Sequence, residues 1–385
     1  MSIENNTTSD NKKRILMLSP GPQYNVKHTF KSRCEEFSQN FSGVVLTSGP
    51  ESSQYEFGDF KVICIKDPYG KSWISTVGFL LYSVQLLLGG IFKNNPFQLF
   101  VTYDPLKTGF IGALATTFFS TKLAVEVNGD YTQDINYEDV KHPLKRKFKK
   151  WAMLSVERFV LKRSQGIKLQ FKAQVDAFKP FKKKPVIRVF PDYVNADEFE
   201  DLGESKEVLF VGFPLKVKGV DFLVPAFKQV SAEFPDWTLK ILGYYPDLSE
   251  LNELIGGNKN IYHHPPIDRS EIGYHMGTCG IFAIASRTEG IPRVLLESMA
   301  AGKPRIGSDV GGIPSVINHG LDGFIVKCGD INDLANKLRT LMADKALRER
   351  FGEASYQRYR DEFKSDQYFR KQTEFYSSAI DKPEP

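Results

Sequence analysis

From Arg14 to Val326 the chain repeats one alternation, and this more than anything restricts its fold. A short apolar run rich in β-branched residues is followed by a turn and then by a longer stretch with helical spacing. "RILMLSP", "GVVLTSG", "FKVICIK", "FQLFVTYDP" and "KLAVEVNGD" read as strands in the first half. "EVLFVGF", "WTLKILGY", "NIYHHPP", "GIFAIAS", "PRIGSD" and "GFIVK" read as strands in the second, with "VDFLVPAFKQVSAEF" and "DLSELNELIG" among the intervening helices. Strand–helix alternation implies parallel sheets covered on both faces. At 385 residues the chain exceeds one ordinary core. The expectation is therefore α/β with two doubly wound, Rossmann-like domains. The boundaries read as a disordered polar tail at 1–12, a first domain at 13–190, a linker at 191–200, a second domain at 201–362, and a C-terminal helix at 363–385 that packs back on the first domain. Ligands of such domains lie at the carboxyl ends of the strands, in a crevice.

The opening "MSIENNTTSDNKK" has no apolar centre and does not read as a signal peptide. "WISTVGFLLYSVQLLLGGIF" is the longest apolar stretch. Only about 16 of its residues are mainly apolar, short of the ~20 a membrane span needs, and it reads as a core helix. Four scattered cysteines without a CxxC pair point to reduced thiols in a cytoplasmic protein. Charge is unevenly placed: net charge is +5, but residues 141–188 carry 16 Lys and Arg against Glu157 and Asp176, a local balance of +14. Within that block Leu144, Phe148 and Trp151 recur at helical spacing among Lys145, Arg146, Lys147, Lys149 and Lys150. Such a helix suits an anionic membrane surface, or rests solvated on its own domain. Its aromatics belong to the apolar stripe and make a poor platform for nucleic-acid bases.

The densest chemistry lies in "SRTEGIPRVLLESMAAGKP", residues 286–304. "GIFAIAS" delivers the chain to the ligand edge, "EGI" (Glu289, Gly290, Ile291) forms the loop, and Pro292 suits the first helical position. The amides of Arg293, Val294 and Leu295 are then helix-end donors for an anion. Glu289 lies within reach of a sugar hydroxyl, and Glu297 can accept two hydrogen bonds from a vicinal diol such as ribose. Two carboxylates flanking an anion-binding helix end suit a nucleoside-diphosphate sugar. The competing reading makes Ser286-x-x-Glu289 a capping box. It would leave Pro292 inside a helix at a cost of about 3 kcal/mol.

These residues resemble the retaining group 1 nucleotide-sugar glycosyltransferases, glycosyltransferase family 4, whose fold is GT-B. The resemblance rests on the Glu–seven residues–Glu pattern at Glu289 and Glu297, on "LFVGFPLKVKGVDFLVPAF" with Lys218-Gly219, on "DVGGIPSVINHGLDGFIV", and on "PDYVNADEF" at the linker. It covers the C-terminal half densely and the N-terminal half only as a pattern. It implies that Glu289 contacts the donor sugar and Glu297 the ribose, and that Lys218 binds the diphosphate. It also implies that Gly311 and Gly312 bring backbone to the donor, and that no metal or other cofactor is needed. Departures are Phe213, after Gly212, where the family commonly has Arg; Ser315 for Glu; Asp192-Tyr193 for Asn-Gly; and Asn128 for His. Arg293 or Lys216 can stand in for the missing cation. Asn128 and Asp130, in "VEVNGD", would face the sugar or acceptor. Asn-Gly is also a hairpin signal, but "DYTQDINYED" offers no second strand. His263 would stand near the nucleotide base rather than join His264 and His275 on a metal, and Gly21-Pro22 form the first loop. "SPGPQYN" lacks the Gly-x-Gly-x-x-Gly of dinucleotide enzymes.

The expected function is transfer of a sugar, a hexose foremost, from a UDP- or GDP-sugar or similar donor to a glycan or lipid-linked acceptor in cell-surface polysaccharide synthesis. The setting would be cytoplasmic, peripheral on the inner face of the cell membrane. An epimerase or phosphorylase of the same fold, or a sugar-nucleotide-binding protein without turnover, are the alternatives.

Overall fold

The computed structural model describes residues 12–382 except 20, 22, 24, 67–72, 139, 182–183, 195 and 197. Pro22 and residues 1–11 of the polar opening lie outside the described residues. The chain divides into two compact units: residues 1–132, 139–190 and 369–385 form one, and residues 133–138 and 191–368 the other.

The first unit holds an eight-stranded sheet. Its strands are β1 (Lys13–Leu18), β2 (Phe41–Gly49), β3 (Ser53–Phe57), β4 (Phe60–Lys66), β5 (Leu99–Thr102), β6 (Lys122–Val127), β7 (Gly166–Leu169) and β8 (Val186–Val189), in the order β3-β4-β2-β1-β5-β6-β7-β8. All pairs are parallel except β3–β4. Ile15 to Leu18 are buried on both sides, as a continuous apolar run in a parallel sheet requires. Helices α1 (Val26–Phe37), α2 (Trp73–Phe92), α3 (Lys107–Ala115) and α4 (Pro143–Arg163) cover the sheet. Phe79 and Leu87 of α2, Ile111 of α3, and Val160 and Leu161 of α4 share one core with the strands. The core-helix reading of α2 holds for one side only, because Val77, Leu81, Leu88 and Ile91 are exposed. No helix among the described residues is long and apolar enough to cross a membrane.

The second unit holds a six-stranded sheet made of β9 (Glu207–Val211), β10 (Thr238–Leu242), β11 (Ile261–His264), β12 (Ile281–Ile284), β13 (Arg305–Ser308) and β14 (Gly323–Val326). The order is β11-β10-β9-β12-β13-β14 and every pair is parallel. The chain runs outward from β9 to β11, then returns to β9's other side at β12. This reversal makes β9/β12 the topological switch point, where the loops leaving two neighbouring strands diverge and open a ligand site. Helices α5 (Val220–Ser231), α6 (Ser249–Ile255), α7 (Arg269–Thr278), α8 (Arg293–Ala300), α9 (Ile313–Val316), α10 (Ile331–Ala343) and α11 (Lys345–Arg358) follow the strands. The last helix, α12 (Ser365–Asp381), carries Phe375 and Tyr376 into the core of the first unit. There Gln372 Nε2 and Tyr376 Oη donate to Glu126 Oε1, and Glu126 pairs with buried Lys168 at 3.1 Å. The four cysteines are free thiols.

Candidate functional site

Two loops meet at the switch point of the second unit. The loop leaving β9 carries Lys218, and the loop leaving β12 carries Glu289. Lys218 Nζ lies 2.5 Å from Glu289 Oε1, and that same oxygen accepts from Ser286 Oγ at 2.7 Å. The Glu289 side chain is 8% exposed, so a carboxylate with little water is matched by a cation and a hydroxyl. Ser286 therefore holds Glu289 side chain to side chain. No helix starts between them, which disposes of the capping-box reading.

Backbone geometry sets this meeting. Gly219 has φ +70°, a left-handed conformation that favours glycine, and a Cβ there would come 1.8 Å from Ala285 O. The β9 loop can therefore lie flat on the β12 loop. On the other flank Gly311 has φ +54° and a Cβ would meet Glu289 O at 2.0 Å, while Gly312 N–H donates to Gly290 O at 2.8 Å. Sequence reasoning missed the clamp between the loops: the Arg287 guanidinium makes a two-pronged contact with Asp221, both at 2.7 Å, and lies 3.7 Å over the Phe222 ring. Asp221 and Arg287 are 66 residues apart, and no local spacing signals such a pair.

Helix α8 begins one residue later than the sequence reading has it. Pro292 is its N-cap, with ψ +125°, and Arg293 is its first residue. The amides of Arg293 and Val294 have no partner among the described residues, but the expectation fails at Leu295. Its N–H donates to Pro292 O at 3.0 Å, because the first turn closes tightly on the proline carbonyl. Arg293 is exposed, whereas Glu297 is only 5% exposed and Leu295 is buried.

The neighbouring strand ends form an aromatic wall. Phe213, 44% exposed, meets Tyr244 and Tyr245 edge-on at 6.0 and 5.9 Å. Tyr245 Oη donates to Gly212 O at 2.9 Å, and burial raises its hydroxyl pKa. His263 packs edge-on against Tyr245 at 5.3 Å, with its Nε2 2.9 Å from Gly243 O. The ammonium of Lys216 is engaged elsewhere, 3.3 Å from Glu250 of α6.

In the first unit, Asn128 directly follows β6 and donates through Nδ2 to Tyr103 O at 2.9 Å. Asp130 Oδ1 accepts from Thr132 N–H at 3.0 Å and Thr132 Oγ1 at 2.5 Å. The chain after Asn128 runs on to a short 3-10 helix, Asp134–Tyr137, counted with the second unit, and no hairpin forms among the described residues. In the first unit, Glu157 of α4 is buried, with no hydrogen-bond partner for Oε2 among the described residues. Burial and then the charge of Asp130 push its carboxyl up to about 8. Gly21 follows β1 and lies against Ser48 of β2.

Residues 195–358 match the family model for glycosyl transferases group 1. An uncharacterized glycosyltransferase of Methanocaldococcus jannaschii is 30% identical over 163 residues, 42% of this chain and 45% of that protein. The N-acetyl-alpha-D-glucosaminyl L-malate synthase of Bacillus anthracis is 29% identical over 170 residues, 43% and 44% respectively. The matched stretch thus spans less than half the length of these relatives. Among solved structures, sucrose-phosphate synthase from Thermosynechococcus elongatus superposes with TM-score 0.75 at 18% identity, over 95% of this chain and 98% of that one. Anabaena Alr3699/HepE, solved with UDP-glucose, gives 0.70 at 16% identity, over 95% and 99%. The likeness of these structures extends through both units and shows the GT-B fold.

Proposed function

We propose that the protein transfers a hexose from a nucleoside-diphosphate sugar to a glycan or lipid-linked acceptor, with retention of anomeric configuration; the match of residues 195–358 to the group 1 glycosyltransferase model and the GT-B fold support this reading. The observation that carries this reading is the Lys218–Glu289 pair at the β9/β12 switch point, four residues before the two open amides of α8. When the bond from the anomeric carbon to the diphosphate breaks, negative charge gathers on the leaving phosphate. The Lys218 ammonium and the amides of Arg293 and Val294 are fixed donors for that charge, already oriented before reaction, and no metal takes part. A diphosphate that draws Lys218 away frees Glu289 to accept from sugar hydroxyls. Glu297, on the same helix, accepts from the ribose, and Gly311 and Gly312 let backbone approach the donor. Asn128 and Asp130 serve the sugar or acceptor. The place of work is the cytoplasmic face of the cell membrane, in cell-surface polysaccharide synthesis, with the basic helix α4 as the peripheral contact.

The Anabaena protein was solved with UDP-glucose, so that donor comes first in a screen that also includes GDP- and ADP-sugars. Product NMR should show the donor's anomeric configuration kept. Lys218→Ala and Glu297→Ala should each reduce transfer by about a hundredfold or more in protein that keeps its circular dichroism spectrum. Donor turnover without acceptor would instead indicate epimerase or phosphorylase chemistry. Donor binding with no turnover on any acceptor would indicate a non-catalytic binding protein.

A further inference from the structure

Helix α2 contains no charged residue along its whole length. Its side chains divide by helical period: Phe79, Ser83 and Leu87 are buried, while Val77, Leu81, Leu88 and Ile91 form a row on the other side, 40–64% exposed. An outer helix face in water is normally the charged one, so this row is inverted. Phe92, at the helix end, is 84% exposed.

A second apolar row lies on the same layer of helices. α3 packs against both α2 and α4, and the inner sides of all three share one core. α4 exposes Leu144, Phe148 and Trp151 by 72, 67 and 64%, with the last two rings 5.7 Å apart. Five basic residues, Lys145, Arg146, Lys147, Lys149 and Lys150, interleave with them. The helix's one acid, Glu157, is buried. One face of the unit therefore carries an uncharged apolar row and, beyond α3, an apolar row ringed by cations.

A protein partner would need matching acids around an irregular apolar surface. A bilayer supplies both parts over a broad plane, with acyl chains for the two rows and phosphates at the level of the cations. We propose that this face seats α2 and α4 together in the headgroup layer of an anionic phospholipid membrane, with the α2 row and Leu144, Phe148 and Trp151 at acyl depth. The proposal deepens the membrane part of the proposed function and rests on that part, not on the transfer reaction.

The test uses the full chain with phosphatidylcholine vesicles, with and without phosphatidylglycerol. Binding should need the anionic lipid and weaken with salt. Replacing Lys145, Lys147 and Lys149 by Gln should weaken it on the order of a hundredfold, at about fivefold per basic residue. Brominated acyl chains should quench Trp151, and also a tryptophan placed by Leu81→Trp in a Trp151→Phe background. Leu81→Ser with Leu88→Ser should lose vesicle binding yet keep transfer to a water-soluble acceptor, so that failure of this proposal stays separate from failure of the transferase reading. Three results would overturn it: no binding to anionic vesicles, quenching at position 151 but not at 81, or self-association through these rows in place of vesicle binding.

Discussion

Lys218 and Glu289 neutralise one another across two loops, and that pairing holds both side chains at the switch point. Both residues are legible from the sequence, since each sits at a strand end beside glycines that only a close backbone approach explains. Their supports are less legible. Ser286, a helix cap only in the competing reading that Pro292 argues against, holds a carboxylate, and the Arg287–Asp221 clamp depends on the fold bringing distant residues together. Arg293 is exposed as the first residue of α8, and a cation there opposes the positive helix end by some tenths of a kcal/mol. A bound diphosphate would reverse that sign, with Arg293 compensating for the arginine that the family resemblance implies at the position of Phe213. Arg293→Gln is expected to weaken donor affinity about tenfold in calorimetric titration. Adding Phe213→Arg should restore it. Unchanged affinity in the single variant would end the compensation idea.

Elements are readable wherever a buried face imposes a strong period. The edge strand β3 escapes the sequence reading because "SQYEF" alternates exposed and partly buried positions rather than forming an apolar run. A signal is present, since Gly58-Asp59 makes a two-residue link between it and β4. α4 illustrates a different limit. Its basic face is plain in the sequence, but the burial of Glu157 is not, because a helical period through lysines hides which side meets the sheet. With its carboxyl raised to about 8, Glu157 stays protonated in the folded chain while the unfolded chain ionises at ordinary glutamate values. Folding then takes up a proton in that interval. The wild type keeps its full stability below the unfolded value and loses some as pH rises towards about 8. Glu157→Gln should therefore melt close to wild type near about pH 5 and higher by on the order of 5 °C near about pH 8. A variant less stable at the higher pH would show that the carboxylate is favoured in the folded chain.

At the scale of the molecule, the alternation of strands and helices makes two parallel-sheet units legible without any family comparison. In the second unit the strand order places Lys218 and Glu289 at the reversal between β9 and β12. The first unit is recognisable only as a pattern, because what defines it is sheet order and burial rather than a motif. On the proposed function this switch point binds a nucleoside-diphosphate sugar through Lys218. The most direct measurement is the thermal shift of the wild type and of Lys218→Ala against UDP-, GDP- and ADP-sugars. A ligand at a hundred times its dissociation constant stabilises by about 2.7 kcal/mol, enough to raise the melting temperature visibly. At least one donor should raise the wild-type melting temperature, with the shift lost in Lys218→Ala. No shift with any of the donors, or an equal shift in the variant, would contradict the claim.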